Sequence, residues 1–269
     1  MQAKKQGRLR AAFSCQEGGS MAGLKHAVYA GTRNLYEQMV WSAKSLYANS
    51  SVDCIHFLIE DDEFPFEMPG FFDFMNVKEY AESTFPDTGP NAKSHFTKMA
   101  MVRSCYPNLL PDVDLVLQLD ADTVVLDDVD AIWETPMDGK WFAAVPETLS
   151  GYDPYRSGHY HNVGVCFFNL AQMRKDGAQA QLVGFINATR ANCVEQDALN
   201  YVGAMHGKAA DLPARFNENR ACGYTDDPAI QHYVGYMDWE TNPNLPRREY
   251  LKLYRDRSWD EIISLHRAK

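Results

Sequence analysis

The sequence predicts an α/β fold in a single domain, and three observations lead to it. Strand-like and helix-like segments alternate along the 269 residues without internal repeats or low-complexity linkers. A hydrophobic content of 45% is enough for a substantial core at this length. The apolar run "LVLQL" (115–119) is followed by Asp120 and Asp122, and ligands of open α/β sheets bind beyond the carboxyl ends of the strands.

The first predicted elements form a strand–helix–strand unit. "HAVYA" (26–30) predicts a strand, residues 35–49 predict an amphipathic helix, and "CIHFLIE" (54–60) predicts a second strand. The aromatic, proline-broken segment 64–75 favours a loop or a short hairpin, whereas residues 92–106 regain helical spacing before the strand that begins at Leu115.

The remaining elements continue this alternation. Strands are predicted at 141–145 and 163–170, and helices across 171–190 and 195–206. A charged, aromatic helix is predicted near the C-terminus, where it serves a partner, a membrane edge or only the fold. We therefore expect a disordered leader over 1–20, one domain over 21–246 and a helical extension over 247–269.

Composition limits the classes of partner. The formal charge of −10 disfavours nucleic acid or an anionic membrane as the main partner, and an anionic substrate would need a metal or local cations. No apolar run reaches the roughly 18 residues of a membrane span, and the basic first residues lack the apolar region of a signal peptide. The six cysteines show no C-x-x-C spacing, and several lie in apolar runs typical of free thiols. We expect no zinc site and a cytoplasmic location, either free or peripheral to a membrane.

The D-x-D sequence at 120–122 predicts a cation. Residues two apart on a strand point the same way, and two neighbouring carboxylates repel each other unless a cation or a proton lies between them. The alternative is that both aspartates cap a helix predicted at "DDVDAIWE" (127–134) or shape a turn.

Two enzyme classes place D-x-D after an apolar strand. One is the haloacid dehalogenase-like phosphatases, in which the first aspartate is the nucleophile and a second acidic pair follows another strand. The only adjacent Asp–Asp pair downstream of 127–128 is Asp226–Asp227, which follows a glycine-broken turn. The other class is the nucleotide-sugar glycosyltransferases of the GT-A type, which hold a divalent metal with this motif.

Further motifs favour the second class. Six segments occur in order: "VYAGTRNLYEQMVWSAKSL" (28–46), "LDADTVVLDDVDAIW" (119–133), "HNVGVCFFNL" (161–170), "EQDALN" (195–200), "DLPARFN" (211–217) and "IQHYVG" (230–235). Together they make the sequence resemble glycosyltransferase family 8 from about Lys25 to Trp239. The resemblance implies a GT-A fold with a Rossmann-like mixed central sheet flanked by helices. It also implies retaining transfer of a hexose, glucose or galactose being favoured, from a UDP-sugar to an acceptor hydroxyl.

The resemblance also implies roles for particular residues. Asp120, Asp122 and His232 would bind the metal. Two hard oxygens and one imidazole suit Mn²⁺, with Mg²⁺ as the second choice. The nucleotide would contact Ala30, Thr32, Asn34, Asp120, Ala121 and Gly235, and the donor sugar would contact Arg103, Asn162, Gly164, Glu195 and Gln196. Of these, Arg103, Glu195 and Gln196 would be catalytic.

Each of these roles has a structural alternative. His232 would otherwise be a hydrogen-bonded core residue, and Arg103 would lie on a solvated helix face like Lys98. Glu195 and Gln196 would otherwise belong to the start of a helix. The acceptor, which is a carbohydrate, a lipid-linked glycan or a protein, and the oligomeric state do not follow from the sequence.

Two departures from the family pattern concern the donor. Asp238 stands where the family has a diphosphate-binding lysine, although Trp239 is kept. An acid there repels phosphate, so we expect Arg247, Arg248 or Lys252 to supply the cation, brought back towards His232 by an Asn- and Pro-rich turn. Glu147 approximates a sugar-binding aspartate of the family. Without compensation, the protein would be a catalytically weak sugar-nucleotide binder.

Overall fold

The computed structural model describes residues 23–235 and 241–267, and its centre is a seven-stranded mixed sheet. The strands are β1 (His26–Ala30), β2 (Cys54–Ile59), β3 (Phe72–Asn76), β4 (Leu115–Leu119), β5 (Thr123–Val125), β6 (Phe142–Pro146), β7 (His161–Asn169), β8 (Ala209–Asp211) and β9 (Ile230–His232). The order in the large sheet is β3-β2-β1-β4-β7-β6-β8. Strand β7 runs antiparallel to both of its neighbours, whereas the other pairs are parallel. The predicted mixed α/β sheet is confirmed.

Helices cover both faces of this sheet because the strand residues alternate between two hydrophobic clusters. The α-helices are α1 (Tyr36–Ala48), α2 (Lys78–Thr84), α3 (Lys98–Met101), α4 (Tyr106–Leu109), α5 (Leu170–Lys175), α6 (Ala178–Ala188), α7 (Val194–Ala198), α8 (Arg248–Asp256) and α9 (Trp259–Arg267). Val28 packs towards residues of α2 to α7, and its neighbours Ala27 and Tyr29 pack towards α1.

A second, two-stranded sheet joins distant parts of the chain. Strands β5 and β9 pair antiparallel, with Thr123 opposite His232. Since Thr123 directly follows Asp122, this pairing brings His232 next to the D-x-D sequence. Asp122 O also accepts a hydrogen bond from Tyr233 N at 2.9 Å.

The prediction of a loop or hairpin at 64–75 is wrong for its end, which begins β3. The prolines of that segment stop at Pro69, and Phe72, Phe74 and Phe57 pack their rings together at centroid distances of 5.2–6.3 Å. This aromatic packing against β2 stabilises a parallel edge strand.

Four of the predicted helices differ in extent from those in the structure. The helix across 171–190 is two helices, because Gly177 between them has a φ of 63°, which suits glycine. In 92–106 the helical residues begin only at Lys98, and the region 195–206 passes from α7 into a π turn and a 3-10 turn. The helix at "DDVDAIWE" is a short 3-10 turn over Asp130–Glu134.

The C-terminal segment forms two helices instead of the one predicted. Both α8 and α9 pack on α1, and Lys44 Nζ donates to the carbonyl of Arg257 between them at 2.5 Å. Asn49 Nδ2 donates to Tyr254 OH at 2.8 Å. Within the described residues these helices belong to the hydrophobic core through Leu251, Tyr254 and Ile262.

Two further expectations concern the cysteines and the membrane. Cys105, Cys166, Cys193 and Cys222 are free, whereas Cys54 is disulfide-bonded, so the expectation of free thiols is wrong for Cys54. Among the described residues no helix is long and apolar enough to cross a membrane. The leader predicted at 1–20 lies outside the described residues.

Candidate active site

Asp120, Asp122 and His232 meet at the carboxyl edge of the large sheet. Asp120 follows β4, Asp122 precedes β5, and His232 ends β9. His232 Nε2 lies 3.3 Å from Asp122 Oδ1 and 3.7 Å from Asp120 Oδ2. One ligand atom from each of the three residues lies within 4.8 Å of the others, a separation that a single metal ion can span.

Gly164 on β7 leaves the space that this cluster needs. Its carbonyl accepts a hydrogen bond from Asp120 N at 2.7 Å, so β7 lies directly against the D-x-D backbone. A Cβ at this position would overlap His232 Cε1 and would lie 2.7 Å from Nδ1 of the same ring and 3.0 Å from Asp120 Oδ2. Glycine is therefore required at this position because His232 and Asp120 lie too close for a side chain, and not because of a turn conformation.

The orientation of His232 is fixed from behind by an asparagine. His232 Nδ1 and Asn217 Oδ1 are 2.9 Å apart, and an amide oxygen can only accept, so Nδ1 carries the proton and Nε2 faces the carboxylates. Asn217 in turn donates through Nδ2 to Asn162 Oδ1 at 2.9 Å. Metal-binding histidines are commonly oriented by such a second hydrogen bond.

The electrostatics of the cluster are those of buried groups that need a counter-charge. Burial opposes the charged imidazole of His232, but Asp122 and Asp120 outweigh it and hold its pKa above the usual value. Burial raises the pKa of Asp120, and the neighbouring Asp122 adds to this, although Arg103 opposes both. For Asp122 burial acts in the same direction, yet His232 outweighs it and lowers the pKa.

Arg103 is buried in this site and does not lie on a solvated helix face. Its side chain is 12% exposed, and it lies on a 3-10 turn (Val102–Cys105) that follows α3. Nη2 is 2.5 Å from Asp120 Oδ1, and Nη1 is 3.2 Å from Glu195 Oε1. The guanidinium thus joins the D-x-D sequence to the start of α7.

Glu195 presents an unused acceptor to the same space. It is 4% exposed, and its second oxygen, Oε2, is buried without a hydrogen-bond partner among the described residues. Burial raises the pKa of Glu195, and Arg103 opposes the shift. A ligand hydroxyl placed against Oε2 would satisfy the atom, since buried polar groups are nearly always hydrogen-bonded.

Glu147, Asn162 and Gln196 form one network beside Glu195. Glu147 Oε1 accepts from Asn162 Nδ2 at 2.9 Å and from Gln196 Nε2 at 3.2 Å. Gln196 Oε1 accepts from the backbone N–H of Val163 at 3.0 Å. The amide of Gln196 is therefore held between α7, β6 and β7, which fixes the start of α7 relative to the sheet.

The predicted nucleotide residues lie at the same edge. Val28 pairs with Gln118 in the β1–β4 register, so Ala30 and Asp120 follow two positions later on adjacent strands, with Ala121 next. Half-buried Thr32 and exposed Asn34 lie just beyond β1, where their side chains are 2.5 Å apart.

Arg220, Asn217 and Asp197 were not predicted as site residues, although Gly235, beside Arg220, was. Gly235 has a φ of 73°, and a Cβ there would overlap the guanidinium of Arg220. Asn217 is the last residue of the motif "DLPARFN" (211–217), which is the one feature of the sequence that indicated a role for it. Arg220 lies outside the motifs that were recognised. Asp197, the residue after Gln196, accepts from Tyr152 OH at 2.9 Å and from Tyr160 OH at 2.5 Å.

Two of the three cations expected to compensate for Asp238, Arg247 and Arg248, have other partners. Arg247 Nη1 is 2.9 Å from Oε1 of Glu218, whose carbonyl accepts from His232 N at 2.9 Å. The turn therefore brings Arg247 towards the strand of His232, as expected, whereas Arg248 Nη1 donates to the carbonyl of Asn242 at 2.9 Å. Asp238 and Trp239 lie outside the described residues. The repulsion expected between Asp238 and phosphate therefore stays a prediction.

Comparison with known proteins gives the same family as the motifs. The model of glycosyl transferase family 8 matches residues 26–239. General stress protein A of Bacillus subtilis (strain 168) is 26% identical over 202 residues, which are 63% of this chain and 69% of that protein.

Solved structures share the fold at low sequence identity. The galactosyltransferase LgtC, crystallised with donor and acceptor sugar analogues, superposes with a TM-score of 0.69 at 19% identity, covering 89% of this chain and 99% of LgtC. The bifunctional glycosyltransferase WbbM gives a TM-score of 0.68 at 16% identity over 91% of this chain. The chain spans only about half, 52%, of WbbM. These likenesses establish the GT-A arrangement of the sheet and helices.

Proposed function

The chain belongs to glycosyltransferase family 8, and from this premise we propose that it transfers a hexose from a UDP-sugar to an acceptor hydroxyl with retention of configuration. The observation that carries the proposal is the cluster of Asp120, Asp122 and His232 at the carboxyl edge of the sheet. Family membership and the GT-A fold decide against the phosphatase alternative. The acidic pair which that alternative needed, Asp226–Asp227, lies in a loop, where Asp227 pairs with Arg215 at 3.1 Å.

The three clustered side chains suit Mn²⁺. Two carboxylates and one imidazole, oriented by Asn217, form a mixed oxygen and nitrogen site that favours Mn²⁺ over Ca²⁺. When bound there, the ion would neutralise charge on the leaving diphosphate. The carboxylates and His232 would hold the ion at the end of β4, within reach of a nucleotide bound beyond β1.

Arg103 and Glu195 act on the donor sugar in this proposal. Arg103 is held by two carboxylates, so its position is fixed before any ligand binds. Glu195 Oε2 would accept a hydrogen bond from a sugar hydroxyl close to the anomeric carbon, because that buried oxygen has no other use among the described residues. Gln196, Asn162 and Glu147 would shape the sugar pocket beside Gly164, whose missing side chain leaves room for His232.

The acceptor hydroxyl would attack from the face that the diphosphate leaves. No free carboxylate stands in the cluster as a strong base, since Asp120, Asp122 and Glu195 are all paired with His232 or Arg103. A front-face path fits this arrangement, because the departing phosphate oxygen can take the proton of the acceptor. Galactose and glucose are the favoured sugars, and LgtC, a galactosyltransferase, supports the former.

We assign the missing diphosphate cation to Arg220 or Arg247. Arg220 packs against Gly235, at the end of the segment that the family uses for phosphate. Arg247 is next to the strand of His232, but its guanidinium already pairs with the carboxylate of the buried Glu218. We expect Arg220 to have the larger effect, because it is an exposed residue and its guanidinium lies directly over the glycine.

The acceptor side and the chain boundaries are also proposals. A catalytic domain over 21–246 would act on a glycan, either free or linked to a lipid or protein. The C-terminal helices would serve the fold, since they pack on α1. A cytoplasmic location stays a prediction from the sequence.

Calorimetry tests the metal-dependent nucleotide site. UDP should bind tightly only when Mn²⁺ is present, and Asp122→Asn should remove the metal-dependent part of the affinity. The matched control is Asp226→Asn, an exposed aspartate outside the cluster, which should behave as the unchanged protein. Equal UDP affinity with and without Mn²⁺ would refute the proposed site.

A hydrolysis assay tests the donor. In the absence of an acceptor, the protein should slowly release UDP from UDP-galactose or UDP-glucose with Mn²⁺, and more slowly from UDP-xylose or UDP-glucuronate. Release of phosphate from p-nitrophenyl phosphate without release of UDP from any donor would contradict the proposal.

Single arginine variants test the diphosphate cation. Arg220→Ala should weaken UDP binding more than Arg247→Ala does, and Arg190→Ala, an exposed arginine in the loop that follows α6, is the control. If Arg220→Ala binds UDP as well as Arg190→Ala does, the assignment of Arg220 is wrong.

A further inference from the structure

His159, His161 and Asp211 form a second cluster of possible metal ligands, separate from the first. His161 begins β7 and Asp211 ends β8, so they lie on either side of β6, while His159 precedes β7 by two residues. Asp211 Oδ1 is 2.7 Å from His159 Nε2 and 2.9 Å from His161 Nε2. Ligand atoms of all three residues lie within 4.8 Å of one another.

The cluster is held by the same helix that carries the proposed sugar-binding residues. His161 N donates to Asn200 Oδ1 at 2.8 Å, and Asn200 Nδ2 donates to the carbonyl of His161 at 2.9 Å. Asn200 is buried on the π turn (Leu199–Gly203) that continues α7. These two hydrogen bonds fix the backbone of His161. Its side chain is only 1% exposed, so burial fixes its position as well.

Two imidazoles and one carboxylate on a partly exposed edge are the ligands of a zinc site with an open position. We propose that His159, His161 and Asp211 bind Zn²⁺ or a similar late transition metal. At bond lengths of ~2.0–2.1 Å, tetrahedral ligand atoms lie roughly 3.3 Å apart. The present distances of 2.7 and 2.9 Å from Asp211 Oδ1 to the two rings need only small side-chain shifts to reach that spacing.

The sequence led to the expectation of no zinc site, but that expectation rested on the cysteine spacing, and the proposed site consists of two histidines and an aspartate. The third group with a suitable geometry among the described residues, His26, Cys54 and His56, is not a zinc site because Cys54 is disulfide-bonded. The Asp120, Asp122 and His232 cluster shares no residue with the proposed site. Zn²⁺ binding at the second cluster can therefore be measured separately from metal binding at the first.

Zn²⁺ at this position would fix the segment 148–160 to the sheet. His159 is the exposed end of that segment, and Asp211 belongs to the edge strand. Tyr160, between the two histidines, accepts a hydrogen bond from Gln196 Nε2 at 3.2 Å and donates to Asp197 at 2.5 Å. The bound ion would therefore hold segment 148–160 against α7.

Zinc competition with a colorimetric chelator tests the site in the Asp122→Asn protein, in which the first cluster lacks one carboxylate. One equivalent of Zn²⁺ should bind, and His159→Ala or Asp211→Asn should weaken it by roughly tenfold or more. Both side chains are about half exposed, at 54% and 53%, so their removal should leave the fold intact. His206→Ala, an exposed histidine outside the cluster, should bind Zn²⁺ unchanged.

Trypsin gives a second readout that needs no activity. Arg156 is exposed within segment 148–160, which the bound ion would hold in place. Zn²⁺ should therefore slow cleavage after Arg156 in the Asp122→Asn protein. The protection should be lost in His159→Ala and kept in His206→Ala. If no Zn²⁺ binds, or if it binds equally to His159→Ala, the three residues are only a hydrogen-bonded cluster and the proposal is wrong.

Discussion

At the scale of single residues, the space beside His232 depends on the absence of a side chain at Gly164. We expect Gly164→Ala to abolish Mn²⁺-dependent UDP binding, because the new methyl group would overlap the imidazole ring. Rigid neighbours make this costly, since His232 is buried and hydrogen-bonded to Asn217. Calorimetry with UDP and Mn²⁺ measures the loss.

The control for that substitution is Gly184→Ala. Gly184 lies within α6, and a Cβ there would meet no atom within 4 Å. Alanine should be neutral or slightly stabilising in the helix. If Gly164→Ala bound UDP and Mn²⁺ as Gly184→Ala does, His232 would not be a ligand in the arrangement described.

A second prediction at this scale concerns protons. The pKa of His232 lies above its usual value, although burial opposes this, because Asp122 and Asp120 favour the charged ring. A histidine must be neutral to bind a metal, so Mn²⁺ binding should release a proton from His232 at neutral pH. Because the raised pKa extends the protonated range upward, Mn²⁺ affinity should fall as the pH is lowered, beginning above the usual histidine value of about 6.5.

Calorimetry in buffers of different ionisation enthalpy measures that proton. The observed enthalpy of Mn²⁺ and UDP binding should change with the buffer at pH 7, and the affinity should decrease from about pH 8 to pH 6. His206→Ala should show the same profile. An affinity that stays constant over this range would mean that His232 is already neutral or is not a ligand.

At this scale the sequence predicted which residues meet but not how each is held. Asp120 and Asp122 were recognisable because a strand that ends in charges is unusual in chemical terms, whereas His232 was recognised only through the resemblance to the family. Arg103 was left open between two interpretations, and only its burial between Asp120 and Glu195 decides. Arg220 was missed because its contact with Gly235 comes from two turns, which carry no periodic pattern.

At the scale of elements, the C-terminal helices depend on burial against α1. Ile262 on α9 is fully buried, whereas Leu265 on the same helix is 38% exposed. We expect Ile262→Ala to lower the free energy of unfolding by about 2–5 kcal/mol and Leu265→Ala to lower it by about 0.5 kcal/mol or less. Urea denaturation measures both, and equal effects would show that α9 does not pack as described.

Regular strands and long helices were the elements best predicted from the sequence. β1, β2, β4, β6, β7 and α1 follow their predicted ranges closely, because each has a clear hydrophobic period. β3 was missed because aromatic residues and prolines obscured the pattern before Phe72. The break at Gly177 was missed because a single glycine is also tolerated inside helices.

At the scale of the whole molecule, Mn²⁺ and UDP should stabilise the fold together. Ligands that bind only the native state raise the free energy of unfolding by about 2.7 kcal/mol at a hundredfold excess over Kd. For a chain of this size we expect a rise in Tm of about 5 °C or more. Asp122→Asn should show little shift and Asp226→Asn the full shift, measured by calorimetric melting; a full shift in both would place the ligands elsewhere.

The pairing of β5 with β9 has a consequence for folding. Thr123 and His232 are opposite each other although more than one hundred residues separate them along the chain. Closing so large a loop costs conformational entropy, so this contact forms late, after the local strand–helix units. Metal would then be captured only by chains that have completed the last closure, and it would slow unfolding without speeding folding. Metal binding would therefore distinguish chains with the completed topology from incompletely folded chains before any donor binds.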